Sequence, residues 1–229
     1  FEASAVHYKF SQLLHEMGAD MSQPNKHEHT AVHFASIKGR TPILTFLHEV
    51  VGTNLNKPDA PGLTPAHLVA IGGHLETLSM LQNVGADLHQ RNAWGDTPMI
   101  SAAREGHVQV MRLLHEAGND LNAQNEDGYT SAHVAAKNGH AQAIRLLHEI
   151  GADLSIPNDE GFTPAHLAAR NGHAEVITTL HACGAHLNPQ EHMGVTPAHL
   201  AASEGHVDVL MALSQMGVDL GQQDVNGTT

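Results

Sequence analysis

The sequence repeats itself at an interval of 33 residues, and this repetition limits the possible folds more than any other feature. GYTSAHVAAKNGHAQAIRLLH begins at Gly128, GFTPAHLAARNGHAEVITTLH at Gly161 and GVTPAHLAASEGHVDVLMALS at Gly194. Threonines keep nearly the same interval along the chain, at Thr30, Thr64, Thr97, Thr130, Thr163, Thr196 and Thr229. Self-similarity at this period predicts a solenoid, in which each unit buries its apolar face against its neighbours.

Each unit carries the signals for two helices and a polar loop. In one of them Thr163 suits an N-cap, Pro164 suits the first helical position, and the Ala-rich segment that follows predicts a helix ending at Arg170. Residues 173–182 have Val, Ile and Leu at helical spacing and predict a second helix. Glycines follow both helices and suit their C-terminal ends. Because the first helices carry mostly Ala and the second helices carry larger residues, we expect a curved stack with the first helices and loops on its concave side.

This unit resembles the ankyrin repeat. The resemblance rests on Thr-Pro-Ala-His-Leu-Ala-Ala, then Gly-His, then Gly-Ala-Asp, and it covers the whole chain. It implies an all-α repeat solenoid of stacked helix-turn-helix units with protruding loops or β-hairpins and a concave binding face. We expect one domain over 1–229, with a partial repeat at 1–24, full repeats at 25–58, 59–91, 92–124, 125–157, 158–190 and 191–223, and the start of another at 224–229. Neither end has the polar character of a capping repeat, so we expect a monomeric array within a longer polypeptide.

Two units depart from this pattern. The first full repeat has one extra residue near Val50–Val51, which we expect to bulge the end of its second helix. The same repeat has Ala31 in place of the usual Pro and Arg40 in place of the usual His. Another repeat has Met99–Ile100 where a small residue or Leu and then His are usual. We expect these changes to perturb the stacking locally.

Most of the 21 histidines occupy three positions of the repeat. One series lies three residues after the capping threonine: His33, His67, His133, His166 and His199. A second series opens the second helix: His7, His74, His107, His140, His173 and His206. A third lies late in the second helix: His15, His48, His115, His148 and His181.

The first two series suit structural hydrogen bonds, the first by analogy with a capping box. The third series predicts a solvated stripe on the outer face, with a role in pH response or partner binding as the alternative. Successive repeats lie too far apart for its members to share one metal ion. If many histidines fold neutral, stability should fall between about pH 6.5 and pH 5. His27-Glu28-His29 predicts loop-tip contacts more strongly than a zinc site, since no third ligand is evident.

Composition excludes several classes of function. The net charge of −13 and the absence of Lys or Arg after Arg170 argue against binding to nucleic acid or to an anionic membrane. Cys183 is the only cysteine, so an internal disulfide is impossible, which favours an intracellular and cytoplasmic setting, or a host cell for a secreted bacterial effector. The sequence contains no phosphate-binding glycine motif and no catalytic constellation. We therefore predict no enzymatic activity, no metal and no cofactor.

The resemblance to ankyrin repeats implies that a partner is bound by the variable positions on the loop tips and first-helix ends. Trp94, Tyr129 and Phe162 occupy such positions on three consecutive repeats of a chain with only 3% aromatic residues. Packing of the two smaller rings against neighbouring loops is the alternative explanation. The predicted partner-binding residues are Leu63, Trp94, Asp96, Arg104, Asp127, Tyr129, Lys137, Glu160, Phe162, Arg170 and Met193.

The resemblance and the exposed aromatics together predict a protein–protein interaction module. Nearby acids favour a partner with a basic surface, because complementary charge speeds encounter and selects partners. Two alternatives stay open at this point. The array could recruit substrate for a multidomain enzyme or bacterial effector whose catalytic part lies outside this chain, or it could be a structural spacer.

Overall fold

The computed structural model describes residues 8–9, 12–13 and 15–229. Twelve helices lie between residues 31 and 215, in six pairs. The first helices of the pairs are α1 (Ala31–Ile37), α3 (Pro65–Ile71), α5 (Pro98–Glu105), α7 (Ser131–Lys137), α9 (Pro164–Arg170) and α11 (Pro197–Glu204). The second helices are α2 (Thr41–Glu49), α4 (Leu75–Asn83), α6 (Val108–Glu116), α8 (Ala141–Glu149), α10 (Ala174–Ala182) and α12 (Val207–Gln215).

The helix pairs stack in chain order. Each first helix packs on the first helix of the next pair, and each second helix packs on the next second helix. Between residues 31 and 215 the segments joining the pairs are turns and extended chain without assigned strands, so these connections are loops and not β-hairpins with paired strands. The result is the predicted all-α repeat solenoid.

The two layers of helices are filled by residues of different size. The first helices bury alanines such as Ala135 and Ala136, both fully inaccessible, which allow close approach of neighbouring backbones. The second helices bury Leu, Ile and Met, for example Ile144 and Leu147 in α8. Burying one such large side chain contributes about 1.5–3 kcal/mol, so the second helices supply much of the apolar driving force.

The N-caps of the first helices are the six threonines at the repeat interval. Thr30, Thr64, Thr97, Thr130, Thr163 and Thr196 each precede a first helix in extended conformation. Ala31 opens α1 although the usual proline is absent, so the cap and not the proline defines the start of this helix. The extra residue near Val50–Val51 leaves α2 with nine residues, the same length as α4, and lies at its C-terminal end, where the Val50 and Val51 N–H groups both donate to the Phe46 carbonyl.

No helix in the described residues is both long enough and apolar enough to span a bilayer. The predicted partial repeat at 1–24 falls partly, and His7 entirely, outside the described residues.

Candidate functional site

The first series of histidines joins each repeat to the next. In each case Nδ1 accepts a hydrogen bond from the backbone N–H of the capping threonine, at 3.1–3.2 Å. Nε2 lies 2.9–3.1 Å from a backbone carbonyl oxygen in the following loop, for example that of Phe162 for His133. An amide can only donate and a carbonyl can only accept, so each ring is neutral with its proton on Nε2.

Burial strengthens this preference for the neutral ring. His33, His67, His133 and His166 are fully inaccessible to solvent. Desolvation, which penalises the charged imidazolium, lowers the pKa of all four, and that of His133 falls to about 4. These histidines belong to the folding framework, as the sequence predicted.

The second series also bridges repeats, in the opposite direction. In each described member of this series, Nε2 lies 2.9–3.0 Å from a carbonyl oxygen at the C-terminal end of the first helix of the preceding repeat. These members are His74, His107, His140, His173 and His206.

The third series differs from the first two. His15, His148 and His181 are exposed, whereas His48 and His115 are half-buried, so only part of this series forms the predicted solvated stripe. In the part of the chain that the structure describes, no three His, Cys, Asp or Glu side chains converge as a metal site would require. In the His27-Glu28-His29 segment, His29 Nε2 instead lies 3.0 Å from the Asp59 carboxylate of the next loop.

The loop tips form a hydrogen-bonded row along the stack. At the start of each tip an Asn, Asp or Glu side chain accepts backbone N–H bonds; Asn92, for example, accepts from Trp94 and Asp96, both at 3.0 Å. Neighbouring tips are joined through the backbone, as where Glu126 N–H donates to the Trp94 carbonyl at 3.1 Å. These bonds fix the variable tip residues at defined positions.

In the middle tips, the glycine two residues before the capping threonine allows this close approach, as at Gly62, Gly95 and Gly128. We expect Gly95→Ala to destabilise the array by about 2 kcal/mol more than Gly118→Ala. Both glycines have positive φ (75° and 85°), so both variants share the same backbone strain. An added Cβ at Gly95 would lie 2.8 Å from the Glu126 backbone nitrogen, whereas one at Gly118 would meet nothing within 4 Å. Chemical denaturation of the two variants gives this difference, and equal losses would contradict the role of close packing.

An open groove of about 450 Å³ lies between the loop tips and the first-helix ends of three repeats. It is lined by Leu63, Ile71, Asn92, Trp94, Asp96, Ser101, Arg104, Glu105, Asn125, Asp127, Tyr129, Val134 and Lys137. Seven predicted partner-binding residues are among them: Leu63, Trp94, Asp96, Arg104, Asp127, Tyr129 and Lys137. The other four, Glu160, Phe162, Arg170 and Met193, belong to the next two repeats and do not line this groove.

Trp94 is the large apolar side chain that the groove leaves most open. It is 54% exposed at the tip of its loop, and Met193 is 55% exposed at the equivalent tip position three repeats later. Tyr129 and Phe162 are half-buried, and their rings pack against His133 and His166 of the same repeats at centroid distances of 5.6 and 5.4 Å. The two smaller rings therefore have a packing role in addition to any binding role, whereas the indole of Trp94 is available for contact.

The carboxylate of Asp96, which also lines the groove, already has partners within the chain. Asp96 is only 4% exposed, and its carboxylate forms an ion pair with Arg104 and accepts a hydrogen bond from Asn125 Nδ2 at 2.8 Å. Its backbone carbonyl accepts the bond from His67. The predicted contact residues Asp96 and Arg104 are thus bound to each other at the groove. Asp127 and Lys137, in contrast, are exposed along it.

Six lining residues are not among the predicted partner-binding residues. Two of them, Ile71 and Glu105, lie at first-helix ends, and the other four are framework residues. Asn92 and Asn125 hold the tips, and Ser101 and Val134 are buried in first helices. The recurrence of Asn, Asp or Glu at the start of each tip was the available signal for the two asparagines. Ser101 and Val134 share a repeat position with core residues, and only the packing of neighbouring repeats shows that they border the groove.

The helix pairs, the histidine bonds between repeats and the row of tips define a helical repeat protein with a groove along its stack. A family model described as "Ankyrin repeats (3 copies)" matches residues 3–92, 82–158 and 133–224. The chain therefore belongs to the ankyrin-repeat family. Ankyrin repeats are generally protein–protein interaction modules and typically non-catalytic. A search of curated proteins finds no match to the chain.

Proposed function

We propose that this array binds a partner protein through the groove and the adjoining loop tips. The observation that carries the proposal is the exposed indole of Trp94 in an open groove whose walls come from three repeats. Aromatic side chains in concave, partly desolvated positions are the residues that most often dominate binding energy. The residues proposed to contact the partner are Leu63, Trp94, Asp127, Tyr129 and Lys137 in the groove, and Glu160, Phe162, Arg170 and Met193 on the following repeats.

The partner is proposed to carry a basic surface. The whole chain has 24 acidic and 11 basic residues, and the two tips that follow that of Trp94 bear Glu126 and Asp127, then Asp159 and Glu160. Recruitment of a substrate for a catalytic domain elsewhere would use the same groove. The lone Cys183 supports an intracellular setting for this interaction.

Replacement of Trp94 tests the proposal. We expect Trp94→Ala to lose at least about 2 kcal/mol of partner affinity, because it removes an exposed aromatic anchor. The same change should leave the melting temperature nearly unaltered, because more than half of this side chain is open to solvent. The measurement is affinity capture with the intact array and the variant, followed by titration of the captured partner.

A matched control removes similar exposed apolar surface outside the groove. Val207→Ala with Met211→Ala serves this purpose, since these α12 side chains are 62% and 55% exposed. A partner lost with Trp94→Ala and retained by the control supports the proposal. Equal capture by all three proteins would place the binding surface elsewhere, and no capture at all would favour a structural spacer.

A further inference from the structure

The groove is lined by an exposed aromatic side chain and, on the neighbouring loop tip, by an exposed carboxylate. Trp94 and Asp127 occupy the same repeat position on neighbouring loop tips, two residues after Asn92 and Asn125 respectively. The bond from Glu126 N–H to the Trp94 carbonyl holds these two tips together. The indole and the carboxylate therefore line the same groove from adjacent positions of the row.

Unpaired carboxylates outnumber unpaired cations in this part of the groove. Among the described residues, the exposed carboxylates of Glu105 and Asp127 form no ion pair. Of the two cations beside them, Arg104 pairs with Asp96, whereas Lys137 is exposed and keeps its charge, with Nζ 5.7 Å from the centroid of the Tyr129 ring. A ligand entering the groove thus meets two unpaired acids, the ammonium of Lys137 and an open indole.

The pKa of the Tyr129 phenol depends on one of these carboxylates, that of Asp127. Its pKa is raised above the ordinary value, first by burial and then by the nearby carboxylates of Glu160 and Asp127, although a hydrogen bond with Asn158 and the charge of Arg170 act in the opposite direction. Asp127 lines the groove together with Trp94, and its negative charge favours a cation there.

Resting on the function proposed above, we propose that the groove binds an arginine side chain in an extended segment of the partner. The guanidinium lies on the indole of Trp94 and donates hydrogen bonds to the carboxylate of Asp127. Arginine fits this arrangement better than lysine, because its planar group can stack on an aromatic face and still donate two parallel bonds to a carboxylate.

The lining on the N-terminal side of Trp94 indicates a second feature of the segment. Leu63 and Ile71 belong to the preceding repeat, and Ile71 is 37% exposed. Packed helices lie about 8–10 Å apart, and an extended chain advances about 3.3 Å per residue. We therefore expect an aliphatic residue about three positions from the arginine.

A displayed library of random 12-residue peptides tests this recognition directly, because the selection itself finds the sequences that the groove binds. The library is selected for binding to the intact array, and peptides that also bind the Trp94→Ala variant are removed. Each selected peptide is then synthesised in two forms, one with arginine and one with citrulline, its neutral isostere. Trp94 is the only tryptophan, so its fluorescence reports binding directly. We expect arginine to be enriched and citrulline to weaken binding at least about tenfold, as loss of a charge-assisted bond predicts.

Asp127→Asn provides the matching change on the protein. It should weaken the arginine peptide about as much as citrulline does and leave the citrulline peptide nearly unaffected, while Glu116→Gln, at an exposed site on α6, should change neither. Trp94-dependent peptides that lack arginine, or that bind equally with citrulline, would overturn the arginine proposal and leave the groove as a binding site. Failure to select any Trp94-dependent peptide would overturn both proposals.

Discussion

Lowering the pH from 7.5 to 5.0 is expected to reduce the free energy of unfolding of the array by at least about 2 kcal/mol. His133 alone accounts for that figure, because its pKa is about 4 in the folded protein and about 6.5 in an unfolded chain. His33, His67 and His166 add to it, since burial lowers the pKa of each of them.

The direction of the effect follows from proton binding. A histidine with a depressed folded pKa binds its proton more readily in the unfolded chain, so acid favours unfolding. The stabilising contribution of the neutral rings is complete above about pH 6.5 and is lost as the pH falls from there towards each folded pKa. The hydrogen-bond geometry also predicts that acid destabilises the folded protein. A proton on Nδ1 of His133 would face the Thr130 N–H, which is also a donor.

Chemical denaturation followed by circular dichroism at a series of pH values measures this loss. His133→Gln should reduce the pH dependence, because glutamine can serve a capping box but does not titrate. His148→Gln removes an exposed histidine and should leave the pH dependence unchanged. A denaturation midpoint that stays constant from pH 7.5 to 5.0 would show that the buried rings are not coupled to stability.

His133→Ala is expected to destabilise the array by about 3 kcal/mol at pH 7.5. The change leaves a cavity at a site with no solvent access and removes the partners of two backbone groups. These groups are the Thr130 N–H, 3.1 Å from Nδ1, and the Phe162 carbonyl, 2.9 Å from Nε2. The second contact joins two repeats, so the unfolding of neighbouring units should become less cooperative as well.

Alanine at the other two histidine positions provides the comparison. His140→Ala removes one bond, to the Arg104 carbonyl at 2.9 Å, from a partly exposed ring, and should cost about 1 kcal/mol. His148→Ala removes an exposed ring and should stay within about 0.5 kcal/mol. Denaturation of the three variants at one pH gives the order, and a loss at His148 as large as that at His133 would refute the structural assignment of the series.

The repeat pattern was sufficient to predict the fold class because each signal in it is local. Threonine caps, glycines at helix ends and the helical spacing of apolar residues act within a few positions of the chain, and each unit has the same local chemistry as its neighbours. The predicted helix from Pro164 to Arg170 agrees with α9 for this reason. The extra residue near Val50–Val51 lies at the end of α2, where both backbone N–H groups donate to the Phe46 carbonyl while the helix keeps its packed length.

The candidate site could be predicted only in outline. The resemblance to ankyrin repeats predicted a contact role for Trp94, Asp96 and Arg104, but it could not show that Asp96 is buried and paired with Arg104. That pairing joins a loop to a first helix, and Asn125 of the next repeat completes it. Contacts of this kind depend on the distance between neighbouring repeats, and this distance cannot be inferred from the sequence of one repeat.

The sequence by itself determined the architecture of this protein: the ankyrin-type unit, the six helix pairs and the framework role of the histidines at the capping position. These properties follow from local propensity and from a period that recurs along the chain. The tertiary structure decided which variable side chains are free to meet a partner. Stacking buries Asp96, holds Lys137 near the ring of Tyr129 and leaves Trp94 open beside Asp127, because exposure and charge pairing arise only when neighbouring repeats are packed together.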